Sequence, residues 1–598
     1  MERKVDPVTF AVISKKLDMT ASRIKEYMIM LARSPIVTVA KDLSDALFDA
    51  KARLVTQKAG IPIHIAGSEQ VVQSVIETFQ DDIHPGDAFI HNDPYQGNTH
   101  VADVNYLVPV FADDELIFWT LIKIHEICVG GAEHASVSFH YTDMYKEGLH
   151  IPPLRIQREW RTIKDVWELL LSQVRYRDDI EADRKAALGS LRVAERTLVA
   201  LCEDYGKELI KQFIDDYINY ADEMMAEEIK SWPDGTAKSE VTSDPDQFGN
   251  RAKVVCELTK EGDMVTVDLT KSSDQFPQIN TTISGTHASV FTAICNVVDP
   301  RIPPNNGMYK HVRITTRPGT IFHPTPPAAS SLATTFLTDP LTDAAMKCLL
   351  KLIPDKSSGG WTWGGPGANN VLSGIDKRGK APRPMSTIGF LALGGAGAVK
   401  GYDGWSQAAA MMSGGSIPVA NIEIFEHVMP LRFLKRSFAT DFQGDGKWRG
   451  GCGMETIIKP VKGHELTFVS FGNGNSSPHA FGVHGGTGNL NPSVSKIDLK
   501  TGAHTTLSQQ ELLTPFTLKD DEACLTRETG GGGFGDPLER DPELVREDTR
   551  NYLISPEKAR DVYGVVLNTE TESFDIDYET TKRRREELKE KKRGSSAK

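Results

Sequence analysis

The sequence predicts a mixed α+β fold of more than one domain, because helical and strand-like periodicities alternate along a chain too long for one core. Its 598 residues exceed the size at which a single core stops growing, and 39% hydrophobic content is enough for several. Apolar residues recur at helical spacing near the N-terminus and again over 180–232, while short apolar runs of strand character lie between and after these stretches. Three regions are expected: 1–235, a helix and sheet region; 236–530, rich in β-structure and glycine loops; and 531–598, a segment ending in a charged tail.

Asp6-Pro7 reads as an N-cap with proline in the first turn, and Phe10, Ile13, Leu17, Ile24, Met28 and Leu31 follow at near-helical spacing up to Ser34-Pro35. Val104 to Val110 and Phe118 to Ile124 read as strands. The pattern from Ile180 to Trp232 is helical and stops at Pro233-Asp234-Gly235, after which Val254–Leu258 and Met264–Leu269 form strand runs split by Glu261-Gly262-Asp263. The pieces Ser357–Gly360, Gly364–Gly367, Gly394–Gly397 and Ser413–Ser416 admit two readings, loops where backbone approaches a ligand or turns between strands; turns are expected for most.

The stretch Asn92-Asp93-Pro94-Tyr95-Gln96-Gly97-Asn98-Thr99-His100-Val101-Ala102-Asp103, with His125 beyond it, carries the chemistry. It gathers two imidazoles and a carboxylate around proline- and glycine-marked turns, the donor set of a catalytic divalent metal site. His100 and Asp103 are three apart, so a straight strand would point them to opposite faces, and the chain must bend if they converge. The plainer alternative is that His100 and Asp103 only cap a turn. His91, Asp93 and Glu126 are polar neighbours suited to orienting ligands or to acid/base work, with Asp93 and Glu126 the catalytic candidates; Asp93-Pro94 also serves simply as a turn device. His134 and His140 are candidates for the substrate path, with ordinary surface histidines the plainer reading, and Cys128 lies near one proposed ligand, with an ordinary buried thiol the plainer reading.

Composition excludes several classes. A formal charge of −13 argues against a nucleic-acid partner. Met1-Glu2-Arg3-Lys4 lacks the apolar core of a secretory signal, and no run reaches the length of a spanning helix, so a cytoplasmic protein without membrane contact is expected. The seven cysteines include no CxxC pair and read as reduced, packed thiols. Gly530, Gly532 and Gly535 satisfy GxGxxG, but Asp536-Pro537 follows where a helix should begin, so this is not a dinucleotide fingerprint. No P-loop is present, and nothing suggests that the chain binds ATP by itself. The run Lys582–Arg593 predicts a solvated helix or frayed tail, with partner docking as the alternative.

Asn92-Asp93-Pro94-Tyr95 with Thr99-His100 and Asp103, Lys41–Asp49 before it, and Gly530–Arg540 near the end together resemble the hydantoinase B/oxoprolinase family, and the similarity runs from Asp6-Pro7-Val8-Thr9 to Tyr563-Gly564-Val565-Val566. The resemblance implies a B-type subunit of an ATP-dependent enzyme. Its partner would be a hydantoinase A-type subunit carrying ATP-Mg, in a heterotetramer or larger assembly. It further implies one divalent ion held by Asp42, His100, Asp103 and His125, although an acidic residue before Leu43-Ser44 is also an ordinary helix N-cap. The mixed nitrogen and oxygen set suits zinc, manganese or iron.

Two enzymatic readings follow from the resemblance. In one, the partner phosphorylates the amide oxygen of a lactam, hydantoin or oxoproline and the metal site supplies acidified water for ring opening. In the other, the chain serves an ATP-dependent ketone carboxylase. The acetone carboxylase alpha-type subunit is longer, and this length resembles the hydrolytic members. A third reading is a scaffold braced by a closed metal site.

Overall fold

The computed structural model describes residues 5–57, 60–64, 66–133, 140–476 and 479–596, and the fold is mixed α+β. The chain divides into two compact units, one of residues 1–353, 371–388 and 412–418, the other of 354–370, 389–411 and 419–598. The passage from helix to strand at Gly235 falls inside the first unit, and residues 531–598 fall in the second with 419–530.

The first unit opens with α1 (Pro7–Leu31). The Asp6 carboxylate accepts from the amides of Val8 and Thr9 at 3.1 Å, as the sequence predicts. Phe10, Ile13, Leu17, Ile24 and Met28 are buried; Leu31, expected in the same stripe, is 55% exposed at the helix end. A short α2 (Pro35–Thr38) leads into β1 (Leu43–Asp49) and β2 (Leu54–Thr56). Asp42 therefore precedes a strand and caps no helix. Then come α3 (Glu69–Phe79), β3 (Ala88–His91), β4 (Asp103–Ala112), β5 (Glu115–His125), β6 (Leu154–Arg158) and β7 (Arg161–Thr162). The predicted strands at 104–110 and 118–124 are the centres of β4 and β5, joined by a hairpin in which Asp113 and Asp114 both have positive φ.

These seven strands form one antiparallel sheet in the order β2-β1-β5-β4-β3-β6-β7. Its register explains the site. Because side chains alternate with period two, Asp42, Ser44, Ala46 and Phe48 share a face with His125, Lys123, Leu121 and Trp119 and with Asp103, Asn105 and Leu107. The lower half of that face is the apolar core of Ala46, Phe48, Leu107, Trp119 and Leu121 packed with Val71, Val72 and Val75 of α3. Its upper edge is polar.

The reverse face is covered by α1 and by α5 (Arg177–Tyr205), which follows α4 (Lys164–Ser172). The predicted helix over 180–232 is in fact two, α5 and α6 (Lys207–Lys230). They break at Gly206, whose φ of 82° lies in a region that favours glycine. Four further strands, β8 (Gly235–Thr242), β9 (Lys253–Glu261), β10 (Met264–Asp268) and β11 (Val312–Thr315), form a second sheet in the order β11-β10-β9-β8. Between and after them come α7 (Ile283–Cys295), α8 (Asn306–Tyr309) and α9 (Thr338–Leu352), and α9 packs on β8 and β9. The turn between β9 and β10 is at Gly262, as expected.

The second unit has a five-stranded sheet in the order 431–438, 454–460, 522–527, 493–498, 504–506. Around it, glycine-rich segments do something the sequence reading did not foresee. Gly359–Gly360 and Gly394–Gly397, where turns were expected, are packed backbone to backbone. Gly359 N donates to Ala398 O, Ala398 N to Gly532 O, Gly532 N to Gly360 O and Gly360 N to Phe481 O, at 2.7–2.9 Å. Gly531 donates to Gly451 O at 3.0 Å and accepts from Gly444 N at 2.8 Å. A Cβ on Gly359, Gly397, Gly531 or Gly532 would collide with a neighbouring carbonyl, so these positions admit only hydrogen. Gly414 and Gly415, which belong to the first unit, do form a turn with positive φ. The charged tail is helical from Tyr578, and Arg585 anchors it by donating to the carbonyls of Tyr563 at 3.0 Å and Arg540 at 2.6 Å.

Among the described residues no helix is long and apolar enough to cross a membrane. None of the seven cysteines is in a disulfide; all but Cys295 are buried.

Candidate metal centre

The upper edge of the first sheet carries the site. Asp103 opens β4 and His125 closes β5 directly opposite it, and the His125 amide donates to the Asp42 carbonyl at 3.2 Å, so Asp42, His125 and Asp103 stand in one row at the ends of three neighbouring strands. His100 stands one turn before β4, and the Asp103 amide closes that turn on the His100 carbonyl at 3.1 Å. The bend that converging ligands require is present.

Asparagines hold the loop that makes it. The Asn98 side-chain amide donates to the carbonyls of Asn92, His100 and Asp103 at 2.7–2.8 Å. Asn92 ties in Val101 at 2.8 Å, Leu149 at 2.9 Å and the Ile151 amide at 2.6 Å, and Asn105 bridges His91 O and Asn98 Oδ1 at 3.0 Å. Gly97, with φ 96°, turns the chain against α3 where a side chain would strike Gln70. From the N-terminal end of α7, Thr282 and Ser284 donate to the carbonyls of Thr99 and Gly97 at 3.1 and 2.8 Å. The motif read from the sequence is therefore mostly scaffold for two of its residues, His100 and Asp103.

His100, Asp103 and His125 are buried, and each offers a donor atom within 4.8 Å of the others. His100 Nε2 is 3.1 Å and His125 Nδ1 3.5 Å from Asp103 Oδ1. Asp42 stands at the rim of this cluster, Oδ2 3.9 Å from His125 Nδ1. Burial opposes ionisation of Asp103, but the charges of His100 and His64 and the hydrogen bonds from His100 and His125 outweigh it and hold its carboxyl well below the usual range. Thr99 Oγ1 also donates to Asp103 Oδ2.

The residues fit a divalent ion. Asp42 Oδ1 and His100 Nδ1 are buried without a hydrogen-bond partner among the described residues, and two carboxylates share one buried pocket with imidazoles. Buried charges of this kind are paired or coordinate metals.

The structure adds residues that the sequence reading missed. His64, in a 3-10 turn, sets Nε2 3.5 Å from Asp103 Oδ2 and 3.7 Å from Asp42 Oδ1. Its Nδ1 meets Ser44 Oγ at 3.1 Å, and that hydroxyl in turn accepts from the Ile61 amide at 2.9 Å. No local signal marks His64, since its partners lie on strands distant in sequence. One layer below Asp103, His125 and Asp42 runs a cross-strand row, His91, Asn105, Lys123 and Ser44. Lys123 is fully buried, and burial lowers its ammonium to about 8 although Asp103 opposes the shift. Its alternation within an apolar strand was the available clue.

The two acid/base candidates are placed differently from the cluster of His100, Asp103 and His125. Asp93 caps the 3-10 turn at Pro94, its oxygens accepting from the Tyr95 amide at 2.9 Å and from Gln96 Nε2 at 3.0 Å. Glu126 is buried against α5, where Arg184 donates two bonds at 3.0 and 2.8 Å and Tyr106 a third at 2.5 Å. His91 is engaged by the Gln96 carbonyl and the Asp93 amide at 3.1 and 3.0 Å. Cys128 accepts from the Gly130 amide and from Arg175. His140 is exposed, and His134 lies outside the described residues.

Comparison with known proteins places these features. The sequence model of the hydantoinase B/oxoprolinase family matches residues 6–537. The chain is 30% identical to the caprolactamase subunit beta of Pseudomonas jessenii, over 94% of this chain and 97% of that one. It superposes on the crystal structure of the ATP-dependent caprolactamase of P. jessenii with a TM-score of 0.89 at 29% identity, covering 98% of this chain and all of the other. A nucleotide-free acetone carboxylase structure shares the fold with a TM-score of 0.88 at 21% identity, over 99% of this chain and 84% of that one. On the family match and the whole-length likeness together, the chain belongs to the hydantoinase B/oxoprolinase family.

Proposed function

We propose that this chain is the metal-binding subunit of a two-component, ATP-dependent hydrolase of cyclic amides, working with a hydantoinase A-type subunit that binds ATP-Mg in a heterotetramer or larger assembly. The observation that carries the reading is the buried His100, Asp103 and His125 cluster with Asp42 at its rim, in a chain 30% identical along nearly its whole length to a caprolactamase subunit. Zinc, manganese and iron all suit this donor set. Such an ion, when bound, would lower the pKa of a coordinated water to about 7 and polarise an oxygen.

The chain's own residues supply position and proton control. Asp42, His100, Asp103 and His125 would hold the ion. Ser44 orients His64 toward Asp42 and Asp103, and the asparagine ties fix the turn that presents His100. Lys123 sets a cation beneath Asp103, with Nζ 3.4 Å from Thr99 Oγ1. We assign Asp93 and Glu126 to positioning: the first is taken up by its turn, and the second holds α5 to the end of β5 through Arg184.

The alternative is a subunit of an ATP-dependent ketone carboxylase, favoured by the shared fold of the acetone carboxylase structure. The test is to purify the chain with its A-type partner and supply ATP with caprolactam, a hydantoin or 5-oxoproline, then with acetophenone or acetone plus bicarbonate. Amide opening coupled to ATP cleavage, lost in His100→Ala, is the expected result. A carboxylated ketone with no amide opening would replace the hydrolase reading by the alternative. His100→Ala that lowers stability but leaves turnover intact would leave only a scaffold.

A further inference from the structure

The two oxygens of Asp103 meet different surroundings. Oδ1 faces the imidazoles, 3.1 Å from His100 Nε2 and 3.5 Å from His125 Nδ1. Oδ2 meets Thr99 Oγ1, which donates to it, and His64 Nε2 at 3.5 Å. One carboxylate is thus divided between the ligand cluster and a hydroxyl.

Donor and acceptor roles fix the direction of that hydroxyl. Lys123 is fully buried one layer below, and its Nζ stands 3.4 Å from Thr99 Oγ1. An ammonium has three donors and no acceptor, so in this contact the hydroxyl oxygen accepts. Its single hydrogen is left for one of two acceptors, Asp103 Oδ2 or Asn98 Oδ1, the latter at 3.4 Å. Asn98 Oδ1 already accepts from Asn105 Nδ2 at 3.0 Å, and the bond to the carboxylate is both the shorter and the charge-assisted one. The hydrogen therefore points at Asp103 Oδ2. The backbone that presents it is held as well, since the Thr99 carbonyl accepts from Thr282 Oγ1 at 3.1 Å.

We propose that Lys123, acting through Thr99, is a positioning residue that commits Asp103 Oδ2 to the hydroxyl and reserves Oδ1 as the single oxygen with which Asp103 holds the ion. The inference rests on the reading that this cluster binds a divalent metal. It also accounts for an ammonium inside an apolar strand: burial disfavours the charge, and the Thr99 hydroxyl and the charge of Asp103 are what it meets there.

The test uses the full-length chain loaded with cobalt(II), whose visible spectrum follows the number and arrangement of its ligands. It compares wild type with Thr99→Val, Thr99→Ser, Lys123→Met and the double variant Thr99→Val/Lys123→Met, and measures thermal melting and cobalt retained against graded chelator for each. Thr99→Val is expected to change the spectrum and to lower affinity by about 10- to 100-fold, and Thr99→Ser to keep both at wild type. Lys123→Met is expected to change the spectrum in the same sense, and the double variant to match Thr99→Val, because the two residues act in series. If Thr99→Val or Lys123→Met does not fold, Thr99→Ala or Lys123→Gln takes its place under the same outcomes. Wild-type spectrum and affinity in Thr99→Val overturns the single-oxygen assignment and leaves the metal reading standing. A wild-type spectrum in Lys123→Met, or changes that add in the double variant, overturns the role of Lys123. A wild-type chain that retains no cobalt overturns the metal reading and the inference with it.

Discussion

His64 Nε2 stands 3.5 Å from Asp103 Oδ2 while its other nitrogen faces Ser44, so a residue from a 3-10 turn steadies a carboxylate at the head of β4. Ligand-orienting partners of this kind are worth about 10- to 100-fold in metal affinity. His64→Ala is expected to keep a metal-binding chain whose affinity falls by about that factor, whereas His100→Ala should lose stoichiometric metal. Metal per chain after dialysis against graded chelator measures both. Wild-type affinity in His64→Ala would remove His64 from the site, and the absence of any stoichiometric transition metal in active protein would remove the site itself.

Glu126 and Arg184 are each about 1% exposed at the side chain and joined at 2.8 Å. Removing one partner of such a pair leaves an uncompensated charge and costs about 3–5 kcal/mol, while removing both is close to neutral. Arg184→Met should therefore lower the denaturation midpoint strongly, and Glu126→Gln/Arg184→Met should restore most of it. Turnover should follow stability. A Glu126→Gln variant that is as stable as wild type yet inactive would return Glu126 to acid/base work.

Glu147 is completely buried and accepts from the amides of Ser330, at 2.5 Å, and Ser331. Burial pushes its carboxyl up to about 7 against those hydrogen bonds, from an ordinary 4.5. The folded chain thus holds this proton more tightly than the unfolded one. Its contribution to stability is complete below the ordinary value and is lost as pH rises through about 7, a change on the order of 3 kcal/mol. Urea midpoints from pH 4.5 to pH 8 are expected to fall more steeply for wild type than for Glu147→Gln. Equal slopes would show that the carboxyl does not titrate in this window.

Local physics was legible in the sequence, and long-range physics was not. The Asp6 cap, the turn at Gly262 and the strands bearing Asp103 and His125 follow from capping, turn chemistry and period-two alternation within a few residues of each feature. The cluster of His100, Asp103 and His125 was legible because the bend between His100 and Asp103 is written in Gly97 and Asn98. His64 was not, and Lys123 left only its alternation within an apolar strand as a clue, since each acquires its neighbours only when β1, β4 and β5 align. Glu126 looked available for catalysis in the sequence because nothing there announces Arg184, which α5 brings to it. The glycine runs at 359–360 and 394–397 looked like turns for the same reason: what requires glycine is a carbonyl from another segment.

Gly531 and Gly189 test that last distinction. Around Gly531 the backbone of Ala396 and Gly397 leaves no room for a Cβ, and the obstructing atoms are main chain, which cannot rotate aside. Gly189 lies within α5 with open space where its Cβ would be. Gly531→Ala should therefore destabilise the second unit by about 3 kcal/mol or more, since overpacking against fixed backbone forces strands apart. Gly189→Ala should stabilise the chain by about 0.5–1 kcal/mol, because alanine loses less conformational freedom in a helix. Paired denaturation curves decide it: if both alanines had the same small effect, the glycine strands would be loosely packed and their composition would need another cause.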